Sequence, residues 1–225
     1  MKKRNFLVSI MMVLGFITTN QVIAQEEEPT SKFNVNADLY TNYIWRGSKL
    51  GTGPALQPSV TFKTGGLAVG VWGSFDASGY MEADPFVSYS FPFGMSLGIT
   101  DYYLPGRPLF EVSDTAGNHA LELNGGFTKW GLTLSANYIV NEAGGVASLG
   151  GDMYFQAGYA FKYFNIFLGA GDGWHTSDGD FALCNVGIGT TKEIKITDTF
   201  AIPVTGQIIV NPEREQLFVV VGFSF

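Results

Sequence analysis

Between Phe33 and Trp45 the chain reads FNVNADLYTNYIW. The odd positions, Phe33, Val35, Ala37, Leu39, Thr41, Tyr43 and Trp45, are nearly all apolar, whereas Asn34, Asn36, Asp38, Tyr40 and Asn42 are mostly polar. Alternation with period 2 is the signature of a strand whose two faces meet different surroundings. In a dry sandwich the asparagine and aspartate row would lose its hydrogen bonds to water. Turned toward a wet lumen that row costs little, and the apolar row can face lipid. A sheet in hydrocarbon must also close on itself, because an open edge leaves backbone groups unpaired. This stretch therefore points to a transmembrane β-barrel.

The same alternation recurs along the chain. It predicts strands near 33–46, 54–63, 66–75, 84–91, 95–104, 119–128, 131–141, 152–163, 165–171, 181–191, 199–210 and 216–225. The expected fold is thus all-β, a single-chain antiparallel transmembrane β-barrel of about 12 strands, an even number as bacterial barrels require. Short turns at 64–66, 92–94, 129–131 and 163–165 alternate with long loops such as LPGRPLFEVSDTAGNH and NEAGGVASLGG. That places the short turns on the periplasmic side and the long loops outside. The segment TKEIKITD is the one misfit, since it is long where a short turn is expected. Tyr43, Trp45, Phe75, Tyr103, Tyr138, Phe155, Tyr159, Phe200 and Phe223 fall on the apolar parity, as interfacial aromatic girdles do. The stretch QLFVVVGFSF carries Leu217, Val219, Val221, Phe223 and Phe225 on one parity, too greasy for a soluble edge strand.

Residues 1–24 read as a secretory signal peptide. MKKRN is basic, FLVSIMMVLGFI is apolar, and VIA leads to a cut after Ala24. Residues 25–32 then form a short acidic periplasmic leader, and 33–225 the barrel domain. Lys2, Lys3 and Arg4 belong to the signal, so removing it takes the net charge from −7 to −10. That sign disfavours a nucleic-acid partner. With 29 Gly, 15% aromatic and only 15% charged residues, the composition is poor in charge for a soluble secreted domain. Cys184 is the only cysteine and excludes an internal disulfide.

NADLYTNYIWRGSKLGTGPALQPSV contains a Tyr-x-Trp-Arg-Gly turn, at Tyr43, Trp45, Arg46 and Gly47, followed by a Gln57-Pro58 pair. With GLAVGVWGSF and the Gly-aromatic ending, it resembles the TorF-like porin family, also catalogued under the Gcw label as conserved outer-membrane proteins. The resemblance spans most of the chain after residue 24 and implies an outer-membrane barrel with a pore role. The ending with Phe223 and Phe225 is similar to the insertion signal read by the barrel-assembly machinery.

Parity assigns Asp38, Asn42, Arg46, Lys63, Glu122, Gln156, Lys162 and Gln207 to the lumen as pore-lining residues. On one strand Asp38 and Arg46 would stand about 26 Å apart, at about 3.3 Å per residue, too far to pair. The expected function is a narrow passive pore for small hydrophilic solutes. Twelve strands lie between filled small barrels and open porins, which keeps a closed-lumen structural or adhesive barrel in view. A barrel lipid hydrolase is the third reading. Its candidate loop is GDGWHTSDGD, with Asp172, His175, Ser177, Asp178 and Asp180, but Ser, Asp and Gly are ordinary loop formers. No catalytic residue, metal or cofactor is assigned, and an incidental Ca²⁺ site is the most that loop suggests. Cys184 is read on the apolar face of its strand. The expected partners are outer-membrane lipid, the assembly machinery during insertion and small solutes.

Overall fold

The computed structural model describes residues 32–225. The expected signal peptide 1–24 and all but Lys32 of the leader lie outside the described residues. Twelve strands form one closed barrel. They are β1 (Phe33–Tyr40), β2 (Ala55–Thr64), β3 (Leu67–Asp76), β4 (Met81–Ser90), β5 (Met95–Tyr103) and β6 (His119–Lys129), followed by β7 (Leu132–Ile139), β8 (Met153–Ala160), β9 (Asn165–Gly171), β10 (Ala182–Lys195), β11 (Ala201–Asn211) and β12 (Gln216–Ser224). Each strand is antiparallel to its chain neighbours, and β12 pairs with β1 to close the circle. This is an up-and-down meander that leaves no long sheet edge. The closing seam is short: it joins Asp38–Tyr40 to Gly222–Ser224, and Ala37 exchanges backbone hydrogen bonds with Phe225.

The wall is apolar outside and polar inside. Val35, Leu39, Val60, Val71, Leu97, Ile99, Leu121 and Leu123 point outward and are exposed. Asp38, Gln57, Ser74, Thr100, Glu122, Asn124, Asn137 and Asn185 point inward and are buried. The inward amides satisfy one another across strands. Thr100 Oγ1 donates to Asn124 Oδ1 at 2.9 Å, Asn124 Nδ2 to Asn137 Oδ1 at 3.1 Å, and Asn185 Nδ2 to the Tyr154 hydroxyl at 2.9 Å. Of the aromatics expected at the girdles, Tyr138, Phe155, Tyr159, Phe200 and Phe223 are exposed.

Connections at one end are short, at 65–66, 91–94, 130–131, 161–164 and 196–200; those at the other end include 41–54, 104–118, 140–152 and 172–181. Trp130 and Gly131 both have positive φ, 54° and 84°, as a two-residue hairpin turn demands. The misfit TKEIKITD resolves here. Thr190–Lys195 continue β10 and pair with Ala201–Gly206 after β9 has ended opposite Gly189, so a two-stranded hairpin projects past the rim. Its turn is then as short as the others. β4 begins at Met81 and not at 84, so Met81, Glu82 and Ala83 belong to the wall and not to a loop.

Candidate functional site in the lumen

The largest departure from the expected pattern follows Tyr40. Strand β1 does not continue to residue 46, because the chain bends at 41–42 and enters the lumen as a small hairpin. Tyr43–Trp45 pairs with Ser48–Leu50 around Arg46 and Gly47, whose φ values are 49° and 84°. Consecutive positive φ angles make a tight primed turn. Gly47 is required twice over: its φ suits glycine, and a Cβ there would overlap the carbonyl oxygen of Cys184. Its own carbonyl accepts Asn211 Nδ2 at 3.1 Å, which ties the tip to β11 on the barrel wall. Period 2 persists through this segment, but it describes a hairpin packed inside the barrel. Tyr43 and Trp45 are therefore buried lumen residues and not part of a lipid girdle.

Two apolar contacts seat this strap. Ile44 packs on an inward cluster of Tyr40, Ile209 and Val220, with Phe167 and Phe218 beside it. On the opposite side Tyr43 lies 5.4 Å from Trp72 and 6.2 Å from Tyr80, and Trp45 lies 5.4 Å from Tyr102 and 6.1 Å from Trp174, ring centre to ring centre. Such tilted and edge-to-face pairs add to the area they bury. The inward face of the last strand is thus apolar at Phe218 and Val220, where parity alone suggests a mixed lining.

Arg46 closes the arrangement electrostatically. Its Nη1 donates to Glu122 Oε2 at 2.6 Å and its Nη2 to Oε1 at 2.8 Å. The guanidinium also lies 4.8 Å from the centre of Trp45 and 4.5 Å from that of Tyr154. With Arg46 7% and Glu122 1% exposed, this is a buried bidentate pair, stable only because both members are present. Glu122 also accepts from the Tyr102 hydroxyl at 3.1 Å and from Asn124 Nδ2. His175 Nε2 faces Arg46 Nη1 at 3.4 Å. Burial, and then the Arg46 charge, push the His175 pKa down to about 2, so the imidazole is neutral near pH 7.

The eight expected lining residues divide three ways. Arg46 and Glu122 meet, with Arg46 on the strap and not on the β1 wall, which removes the premise that it stands on one strand with Asp38. Asp38 faces inward opposite Gln57 and Ser224, and Gln156 accepts from the Tyr154 hydroxyl at 2.7 Å and Asn185 Nδ2 at 3.1 Å. Gln207, opposite Gly189, and Lys63 share this inward parity, and Asn42 is half-buried at the foot of the strap. Lys162 is the correction: it sits exposed in the 161–164 turn with Nζ 4.9 Å from the Tyr163 ring centre, because β8 ends at Ala160 and not at 163. Phe223 faces outward opposite Leu39. Tyr102, Tyr154, Trp174 and His175 belong to the site although none was singled out as a lining residue. The inward parity of Tyr102 and Tyr154 was a usable signal; nothing in the loop composition marked Trp174 or His175.

The 172–180 loop does not assemble a hydrolase. His175 is inside, ring centres 5.0 Å from Trp45 and Tyr154, while the Ser177 hydroxyl is bonded to Glu213. Asp172 Oδ1 accepts the Met153 amide at 2.6 Å, and Asp178 Oδ1 the Asp180 amide at 3.0 Å, so these carboxylates serve the loop's own backbone. Among the described residues no three His, Cys, Asp or Glu side chains group to hold a metal ion. Cys184 occupies a β-bulge, where Leu183 pairs with Ala170 and Asn185 with Gly169. The extra residue breaks the parity expected for Cys184 and leaves it fully buried, its thiol 3.8 Å from the Gly169 carbonyl oxygen.

Toward the short-turn end the inward side chains are small or polar, as at Asn36, Ser59, Thr61, Ser88, Thr133 and Ser135, and are only half-buried. The lumen is therefore a polar vestibule at one end and a packed, strapped constriction at the other.

No curated protein matches the sequence significantly. Among solved structures, a mutant of the Rh. blastica porin superposes with a TM-score of 0.40 at 14% identity, and a triple mutant of the Rhodopseudomonas blastica porin with 0.40 at 15%. Each alignment covers 76% of this chain and 55% of the other, so this chain spans about half the length of those porins. The barrel assignment rests on the strand pairing above and does not depend on that likeness. The family model described as a bacterial protein of unknown function, Gcw_chp, matches residues 24–200, and the chain belongs to that family.

Proposed function

We propose that this chain is an outer-membrane barrel, inserted by the barrel-assembly machinery after export and loss of residues 1–24. In that membrane it serves as a narrow passive pore for small hydrophilic solutes. This makes it a porin of the TorF-like kind. The observation that carries the reading is the opposition of faces: a continuous exposed apolar wall around a lumen of Asn, Ser, Thr and Gln. Only lipid outside and water inside make both faces favourable. The strap narrows the pore at the long-loop end, and selectivity then depends on width and lining charge.

Conductance in a planar bilayer tests this, using refolded wild type and a variant with Tyr43–Leu50 replaced by a short Gly-Ser linker. Small steps from wild type and several-fold larger ones from the variant are expected. Silence from both, with insertion verified, defeats the pore reading. A second reading, a barrel whose resting lumen is closed, is favoured by the buried Arg46–Glu122 pair. It predicts a silent wild type and a conducting variant.

A further inference from the structure

The connection 104–118 folds the opposite way from the strap. Tyr103 ends β5 and His119 begins β6, and both share the outward parity of Leu97, Ile99, Leu121 and Leu123. Their rings stack at 5.0 Å with an 11° tilt. Asp101, on the same outward row, meets His119 Nδ1 at 2.8 Å. The other ring nitrogen, Nε2, meets the Leu109 carbonyl oxygen at 2.6 Å. An imidazole facing an acceptor on each nitrogen carries a proton on both and is a cation. The wall thus holds an ion pair on its apolar face, and the second Asp101 oxygen is shut away without a hydrogen-bond partner.

The loop itself does the shutting. The Tyr103 hydroxyl donates to the Arg107 carbonyl at 2.7 Å, and Gly106 lies against Met81 of β4. Residues 106–109 are draped over the outside of β4, β5 and β6. Beyond them Phe110 is 90% and Val112 73% exposed. The adjoining 140–152 connection, joined through the Gly144 amide and the Asp114 carbonyl at 2.9 Å, adds Leu149, 83% exposed. These apolar side chains continue the outward wall at its upper edge. β6 has 11 residues; at about 3.3 Å each and a tilt of about 40°, it rises about 28 Å, close to the ~25 Å apolar band of such barrels. His119, its first residue, therefore stands at the boundary between hydrocarbon and headgroups.

We infer that residues 107–112 form a lipid-seated flap. Phe110 and Val112 lie in the outer-leaflet boundary, and the backbone of 107–109 screens the Asp101–His119 pair from acyl chains. The inference rests on the membrane reading above. Lipid is the occupant because the exposed side chains are continuous with the lipid-facing wall; a second copy of the chain is the rival.

Nitroxide labels separate these. On a Cys184→Ala background, Phe110→Cys and, independently, Val112→Cys are labelled and refolded into phosphatidylcholine vesicles. Leu97→Cys serves as the wall control and Asp178→Cys as the loop-tip control. Collision with oxygen should exceed collision with a water-soluble nickel chelate several-fold at 110, 112 and 97, and the order should reverse at 178. Nickel-accessible 110 and 112 beside a lipid-exposed 97 would overturn the flap. Spin–spin broadening at 110 or 112 would also overturn it, by showing contact between copies. Nickel accessibility at 97 itself would instead remove the membrane reading on which the flap depends.

Discussion

Two connections at the same end of the barrel, 41–54 and 104–118, carry aromatic and basic residues of similar kind and go to opposite sides of the wall. The strap turns inward because the wall offers it partners there. Trp72, Tyr102 and Trp174 receive its rings, and Glu122 receives Arg46. The 104–118 loop finds no such receptor. It uses its backbone carbonyls to cover Tyr103 and His119 and leaves Phe110 without protein around it. In a soluble domain, apolar residues have one place to go. A barrel offers two, and a buried counter-charge, rather than hydrophobicity, distinguishes them.

The comparison breaks most easily at the buried pair. Glu122→Ala strands Arg46 inside the strap and should cost about 3–5 kcal/mol, whereas Arg46→Leu with Glu122→Leu should recover most of that loss. Urea midpoints of the gel-shifted folded form measure both; an unaffected Glu122→Ala would mean the strap is not latched. On the outer wall, Leu97→Arg should cost about 2–4 kcal/mol in lipid-refolding equilibria.

Acid comes next. His175 has its pKa lowered from 6.5 to about 2 in the folded chain, so the unfolded chain binds its proton first. Stability from this site is complete above about pH 6.5 and declines as pH falls below it, by about 2 kcal/mol at pH 5. A His175→Phe variant should lack that part of the slope; an unchanged slope would mean the imidazole is hydrated. Gly47→Ala, which forces a Cβ into a left-handed turn already against Cys184, should cost at least about 1–2 kcal/mol by the same urea midpoints. The smallest effect belongs to the flap: Phe110→Arg, at the interface, should cost only about 0–1 kcal/mol, in contrast with Leu97→Arg. A loss equal to that of Leu97→Arg would place position 110 deeper than the boundary.

Strand alternation made the barrel legible because it is written into every wall segment, from Phe33–Tyr40 to Gln216–Ser224. The same rule misled at Tyr43 and Trp45, since a hairpin inside the lumen alternates as a wall strand does. What ended β1 was backbone chemistry at Arg46 and Gly47, and a Trp-Arg-Gly sequence inside a strand pattern is a quiet signal for it. Asp38 and Glu122 were readable as inward-facing from parity. Their partners were not, because Arg46 reaches Glu122 across a lumen that no one-dimensional pattern describes. Cys184 escaped for a third reason, a bulge that shifts the register by one residue.

The short seam between β1 and β12 governs how such a molecule assembles. Every other pairing joins strands adjacent in the chain and can zip as a local hairpin, but the seam brings Asp38 against Ser224. Closing a loop of that span costs about 2–3 kcal/mol more in chain entropy than closing a ten-residue one. Ring closure is accordingly the late, slow event, preceded by a curled ribbon with two free margins. Because so few residues then hold those margins together, the same place is where the finished ring parts first under load.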